Sequence, residues 1–121
     1  MHTVPGTRML NAIAQQLDRY MTLLSARQTL VASNIANADT PGYKTKDIDF
    51  QSELSYAIAG SAPTPEEVGG LTAKNDGNNV DLDRESRLLA ENDLHFSVAS
   101  NLLRSQLKII RTAIDGGSQA S

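Results

Sequence analysis

Residues 7–36 read TRMLNAIAQQLDRYMTLLSARQTLVASNIA, and every seventh residue from Leu10 is apolar: Leu10, Leu17, Leu24, Val31. Ile13 and Tyr20 widen this line on one side, and Ala14, Met21 and Ile35 widen it on the other. The opposite side carries Asn11, Gln15, Asp18, Arg19, Thr22, Ser25 and Thr29, and the run contains no Gly or Pro. Apolar residues that return at helical spacing on one face predict an amphipathic helix, here over residues 8–36.

A second run has the same grammar. Leu82, Leu89, Phe96, Leu103 and Ile110 repeat every seven residues, with Leu88, Leu102 and Ile109 alongside and Leu107 and Ile114 at the edge. The spacing predicts a helix over residues 83–114. Asp83 is the expected N-cap, with Glu85 in the first turn to suit the positive end of the helix dipole. Arg104, Lys108 and Arg111 are expected in the last three turns, where cations suit the negative end, and Asp115-Gly116-Gly117 is the expected stop. Two helices with matching seams are built to pack lengthwise in a coiled-coil-like pair. Each stripe is wider than a strict two-position seam, so both stripes, from Leu10 to Val31 and from Leu89 through Phe96 and Leu103 to Ile110, call for neighbours beyond one another. They are the expected assembly surfaces.

From Tyr20 to Ala38 the single charged residue is Arg27. Small, uncharged residues there permit close approach by another backbone, although a plain Ala/Ser-rich exposed helix has the same composition. Residues 37–82 lose the helical period. Pro41 disfavours helical geometry at Thr40, and Pro41-Gly42 suits the centre of a type II turn with Gly42 at positive φ. Asn34 and Asn37 are expected to bond the freed carbonyls and amides nearby. Residues 47–50 make an extended stub, and Phe50, Leu54 and Ile58 predict a short helix from about Asp49 to Ala59. Gly60 to Asn79 is rich in Gly, Pro, Ser, Ala and Asn and reads as a flexible loop, with a tight turn at Asp76-Gly77-Asn78-Asn79. The fold class is therefore mainly α: one domain over 1–121, with a turn, short helix and loop between two long helices.

At 121 residues and 13.0 kDa the chain has the size of one domain. Forty per cent of residues are hydrophobic but only 4% are aromatic, so the core is aliphatic. A net charge of −3 argues against nucleic acid as partner. The absence of cysteine removes disulfides, thiolate zinc sites and cysteine nucleophiles. Residues 1–30 hold no hydrophobic leader, so any export is expected to proceed without a cleaved signal peptide. The acidic group Asp76, Asp81, Asp83, Glu85 fails the calcium-loop spacing, because Thr72 and Lys74 fall at ligand positions. His2 and His95 have neither metal-ligand spacing nor a nucleophile to serve. No catalytic, cofactor-binding or metal residue is expected, and no enzyme activity.

The run Asn34-Ile35-Ala36-Asn37-Ala38-Asp39-Thr40-Pro41-Gly42-Tyr43-Lys44 resembles the signature of bacterial flagellar rod and hook proteins, in which Asn-Ile-Ala-Asn precedes Thr-Pro-Gly-Tyr at the end of the first helix. The signature turn residues are Asn34, Ile35, Ala36, Asn37, Thr40, Pro41, Gly42 and Tyr43. Asp47-Ile48-Asp49-Phe50, the run from Asp76 to Glu85, and Leu102-Leu103-Arg104-Ser105-Gln106-Leu107-Lys108 are similar to the proximal-rod members of the flagellar basal-body rod family. That resemblance implies a coiled-coil axial subunit, stacked helically with other copies to transmit motor torque for motility. It implies passage through the flagellar type III export apparatus and a final place in the periplasmic rod. The implied partners are other copies of the chain, other rod proteins and the adaptor at the rod base. The alternative is a small cytoplasmic helical adaptor or chaperone, which has no need of such a junction.

Overall fold

A computed structural model describes residues 5–55 and 62–119. Helix α1 spans Pro5–Ala36, strand β1 Lys46–Ile48, helix α2 Phe50–Ser55, strand β2 Pro65–Glu67 and helix α3 Leu82–Gln119. The two long helices pack along each other as the heptad stripes require. Glu85 near the start of α3 meets Asn34 near the end of α1, and Asn92 meets Leu24 and Gln28, so the pair is antiparallel. The core is aliphatic: Leu23, Leu24 and Val31 from α1, Ala99 from α3 and Ile48 from β1 are buried. Among the described residues no helix is long and apolar enough to cross a membrane.

Three expectations need correction. The N-cap of α3 is Asp81, not Asp83: its Oδ1 accepts from the Asp83 and Arg84 amides at 3.0 and 3.2 Å. Either carboxylate can cap, and the register of the preceding Asn78-Asn79 contacts decides between them. Helix α3 also runs through Gly116 and Gly117 to Gln119 rather than stopping there. Both glycines keep φ out of the positive range, and continuing a helix through Gly costs only about 1 kcal/mol relative to Ala. As a result, no basic residue lies in the last turn of α3.

The third concerns the face of α3 that meets α1. It is centred on Glu85, Asn92 and Ala99, all buried, and on Gln106, whose Oε1 is buried. This series also repeats every seven residues but lies four positions from the apolar stripe, a rotation of about 40°. The stripe residues Leu89, Leu103 and Ile110 are only half-buried, and Phe96 is 39% exposed.

Between the long helices, β1 and β2 pair antiparallel with Lys46 opposite Glu67, Asp47 opposite Glu66 and Ile48 opposite Pro65. The amide of Val68 donates to the Thr45 carbonyl at 2.9 Å, extending this tie. Strand β2 lies within the stretch expected as loop, and its Pro-Glu-Glu sequence has little strand propensity to reveal it. Asp49 caps α2, accepting from the Ser52 amide and hydroxyl. The expected continuation of α2 to Ala59 falls on 56–61, outside the described residues.

Candidate functional site

Residues 34–44 and 76–85, the two stretches singled out in the sequence, fold against each other and make one polar junction at the closed end of the helix pair. Asn34, 1% exposed, is its centre. The Asn34 Nδ2 group donates to the Lys46 carbonyl and to Glu85 Oε1, both at 2.8 Å. Its Oδ1 accepts from the Lys46 amide at 3.1 Å and the Tyr43 hydroxyl at 3.0 Å. All four bonding positions of the amide are used, and one side chain ties α1, the turn, β1 and α3 together. Asn34 thus reaches across the fold rather than capping its own helix. Asn37 does act locally, its Nδ2 donating to the Ser33 carbonyl at 2.8 Å.

The turn itself follows from Thr40-Pro41-Gly42-Tyr43. The Tyr43 amide donates to the Thr40 carbonyl, and Gly42 takes φ of 75°, as a type II turn requires at that position. Asn78, fully buried, donates to the Asn37 and Thr40 carbonyls at 2.9 and 2.8 Å, absorbing acceptors freed at the end of α1. Asn79 Oδ1 accepts from the Thr45 amide at 2.7 Å. Gly77, at φ 89°, passes close to Gly42: a Cβ there would stand 3.4 Å from the Gly42 Cα. Lys44 and Lys74 each donate across the interface, to the Gly77 and Ala38 carbonyls.

A line of alternating charge runs below the turn. Asp47 of β1 receives Arg27 of α1 at 3.0 Å and Arg84 of α3 at 2.8 Å, and Arg84 also donates to Glu85 at 2.9 Å. Arg27 lies over the Phe50 ring at 5.0 Å, and Tyr20 meets the same ring edge-on at 5.4 Å. The single charge between Tyr20 and Ala38 therefore points inward. Glu85 is fully buried, and its Oε2 finds no donor among the described residues. Burial raises its pKa above the ordinary 4.5, and the Asp47 charge adds to the rise; Arg84 and the hydrogen bonds from Asn34 and Arg84 oppose it.

Of the signature residues, then, Asn34 is buried, Asn37 and Tyr43 are half-buried, and Ile35, Ala36, Thr40, Pro41 and Gly42 are exposed. Of the N-terminal stripe, Leu24 and Val31 are buried while Leu10 and Leu17 are half-buried. Sequence reasoning missed Thr45, Asp47, Asn78, Asn79, Glu85 and Asn92 as interior polar groups, and it placed Arg19 on the polar side of α1, whereas Arg19 is buried and pairs with Glu53 of α2 at 3.6 Å. The Asn78-Asn79 pair after Gly77 signalled a turn, but nothing local says that its amides reach forty residues back. His95, which has no metal-ligand spacing, is exposed.

A long antiparallel helix pair closed by an Asn-Ile-Ala-Asn…Thr-Pro-Gly-Tyr junction defines a flagellar axial protein, and the model of the flagella basal body rod protein family matches residues 21–44. The chain is 34% identical over 137 residues to the flagellar basal body rod protein FlgB of Salmonella typhimurium, covering 90% of this chain and 97% of that protein. It is 36% identical over 113 residues to FlgB of Cereibacter sphaeroides, covering 79% and 88%, and 32% identical over 122 residues to FlgB of Borrelia hermsii, covering 79% and 90%. The chain belongs to the FlgB family of flagellar basal body rod proteins and is a structural subunit of the rod.

Proposed function

We propose that the chain is built into the proximal rod by lateral packing of its helices, against further copies of itself, other rod proteins and the adaptor at the rod base, and that the assembled rod carries motor torque. In this reading it passes the flagellar type III export apparatus unfolded, keeps its N-terminus, assembles in the periplasmic space and does no catalysis. The observation that carries it is the apolar surface left on α3. On one side of the contact with α1 stand Leu94, Val98, Leu102 and Ile109; on the other stand Phe96, Leu107 and Ile114, all exposed. A helix apolar on both flanks of its contact with α1 is suited to further helices on each side. A self-contained cytoplasmic adaptor would be expected to cover them.

Leu103 lies between the α1 contact and the second flank, half-buried. Leu103→Asp places a carboxylate where packed subunits exclude water, at a cost well above that of a lost methyl group. The variant is expected to be made and exported yet absent from purified basal bodies, leaving cells non-motile. Thr72→Asp, on an exposed position, is expected to leave motility nearly intact. Normal swimming by Leu103→Asp cells would overturn the reading.

A further inference from the structure

Two buried carboxylates of the junction share one arginine. Asp47 of β1 accepts on both oxygens: Oδ1 takes Arg27 Nε at 3.0 Å and the Ile48 amide at 2.8 Å, and Oδ2 takes Arg84 at 2.8 Å. Glu85 of α3 accepts on one oxygen only: Oε1 takes Asn34 at 2.8 Å and Arg84 at 2.9 Å. Its Oε2 is buried with no donor among the described residues. The second cation of the cluster, Arg27, pairs with Asp47 and not with Glu85. No other group around Glu85 neutralises it. Tyr43 and the backbone of Lys46 reach it only through Asn34, Asp81 caps the first amides of α3, and Glu66, opposite Asp47 on β2, is exposed. A buried carboxylate oxygen without a donor favours the protonated acid.

We propose that the junction is a proton-tightened latch: a proton on Glu85 Oε2 holds residues 34–44 and 76–85 shut, and its loss lets them part locally while the seam around Leu23, Leu24 and Ala99 stays packed. The latch belongs to the chain itself and does not depend on its place in a rod. Protonation at Oε2 leaves Oε1 free to keep both of its bonds, because the carbonyl oxygen of the acid still accepts. Oε2 is out of reach of solvent, so its proton passes to water only when the junction opens. Closing again without it requires burial of a charged oxygen that no donor meets. Burial is the largest influence on Glu85 and raises its folded pKa above 4.5, so the latch is at full strength below that value and slackens as pH rises through the raised one. The bonds from Asn78 to the Asn37 and Thr40 carbonyls involve no titrating group and persist, so high pH loosens the junction without unfolding the chain.

Hydrogen exchange in the isolated full chain reads the latch directly. The Lys46 amide, bonded to Asn34 Oδ1, and the Thr45 amide, bonded to Asn79 Oδ1, report the junction, and the α1 amides of Leu23 and Leu24 report the seam. After correction for the intrinsic pH dependence of exchange, opening at Thr45 and Lys46 is expected to rise between about pH 4 and 7. The rise should be about tenfold for each pH unit by which the folded pKa of Glu85 exceeds 4.5, and it should vanish in Glu85→Gln. No rise in the native chain, or an equal rise in Glu85→Gln, overturns the latch. Opening at Leu23 and Leu24 in step with Thr45 and Lys46 overturns it in favour of global unfolding. A second measurement keeps Glu85 in place and follows its side-chain carboxyl carbon by NMR. The titration midpoint is expected above 4.5, lower in Asp47→Asn, which removes the neighbouring negative charge, and higher in Arg84→Met, which removes the cation. A midpoint at or below 4.5, or one that neither substitution moves, overturns the proposal.

Discussion

Through one oxygen the Glu85 carboxylate accepts from Asn34 and Arg84; the other oxygen meets no donor among the described residues. With its folded pKa raised above 4.5, the folded chain holds this proton to higher pH than the unfolded chain does. The stability Glu85 contributes is thus fully present below about pH 4.5 and is lost as pH rises through the raised value. Glu85→Gln cannot ionise. The urea midpoint of the native chain should therefore fall relative to that of Glu85→Gln as pH is raised from about 4 to 7, and a gap that stays constant would show that burial does not govern this group. Gly42 tests the backbone alone, since a Cβ there would meet nothing within 4 Å. Gly42→Ala should cost about 1 kcal/mol in thermal unfolding and Gly42→Val more, through φ only. The Gly42 conformation was legible because Pro-Gly chemistry is local. The roles of Asn34 and Asn78 were not, because the partners that exhaust their hydrogen bonds lie up to 51 residues away in the chain.

At the level of elements, periodicity located both long helices but misplaced the contact on α3. A heptad count finds apolar residues. The contact instead follows Glu85, Asn92, Ala99 and Gln106, where polar groups and one small side chain let the backbones approach. Asn92 illustrates the exchange, donating to the Leu24 carbonyl and to Gln28 while its own Oδ1 stays unpartnered among the described residues. A buried polar group of that kind favours one register over stronger but less selective apolar pairing. Ala99, 2% exposed, marks the close approach. Ala99→Leu should overpack it and lower stability by about 1–3 kcal/mol in thermal unfolding, although it makes the helix more apolar. Leu94→Ala, on the exposed flank, should change stability by no more than about 0.5 kcal/mol. If the two substitutions had equal effects, the buried seam would have to be the apolar stripe after all. Strand β2 escaped sequence reasoning for a related reason: Pro65-Glu66-Glu67 is extended by its ladder to β1, not by its own propensity.

Across the whole molecule, burial is concentrated at the closed end. Leu23, Leu24, Val31, Asn34, Asp47, Ile48, Asn78, Glu85, Asn92 and Ala99 are all buried there, while Leu10, Leu17, Leu103 and Ile110 toward the open end remain half-buried. Local opening free energy follows buried apolar contact and protected hydrogen bonds. Amide exchange in the isolated monomer should therefore be slowest around 23–34 and 85–99 and quicken steadily toward 5–17 and 103–119. The gradient has a functional sense for a rod subunit. The closed end is a self-sufficient clasp of polar bonds around a small aliphatic core, whereas the open arms expose Leu107, Ile109 and Ile114 and have too little internal contact to hold themselves fully. Neighbouring subunits would supply what is missing, so assembly should slow exchange in the open arms far more than at the junction, where protection is already near its limit. Measuring both states by mass spectrometry separates this from a rigid hairpin that merely docks. In that case the arms would exchange as slowly as the junction before assembly, and polymerisation would change little beyond the contact surface itself.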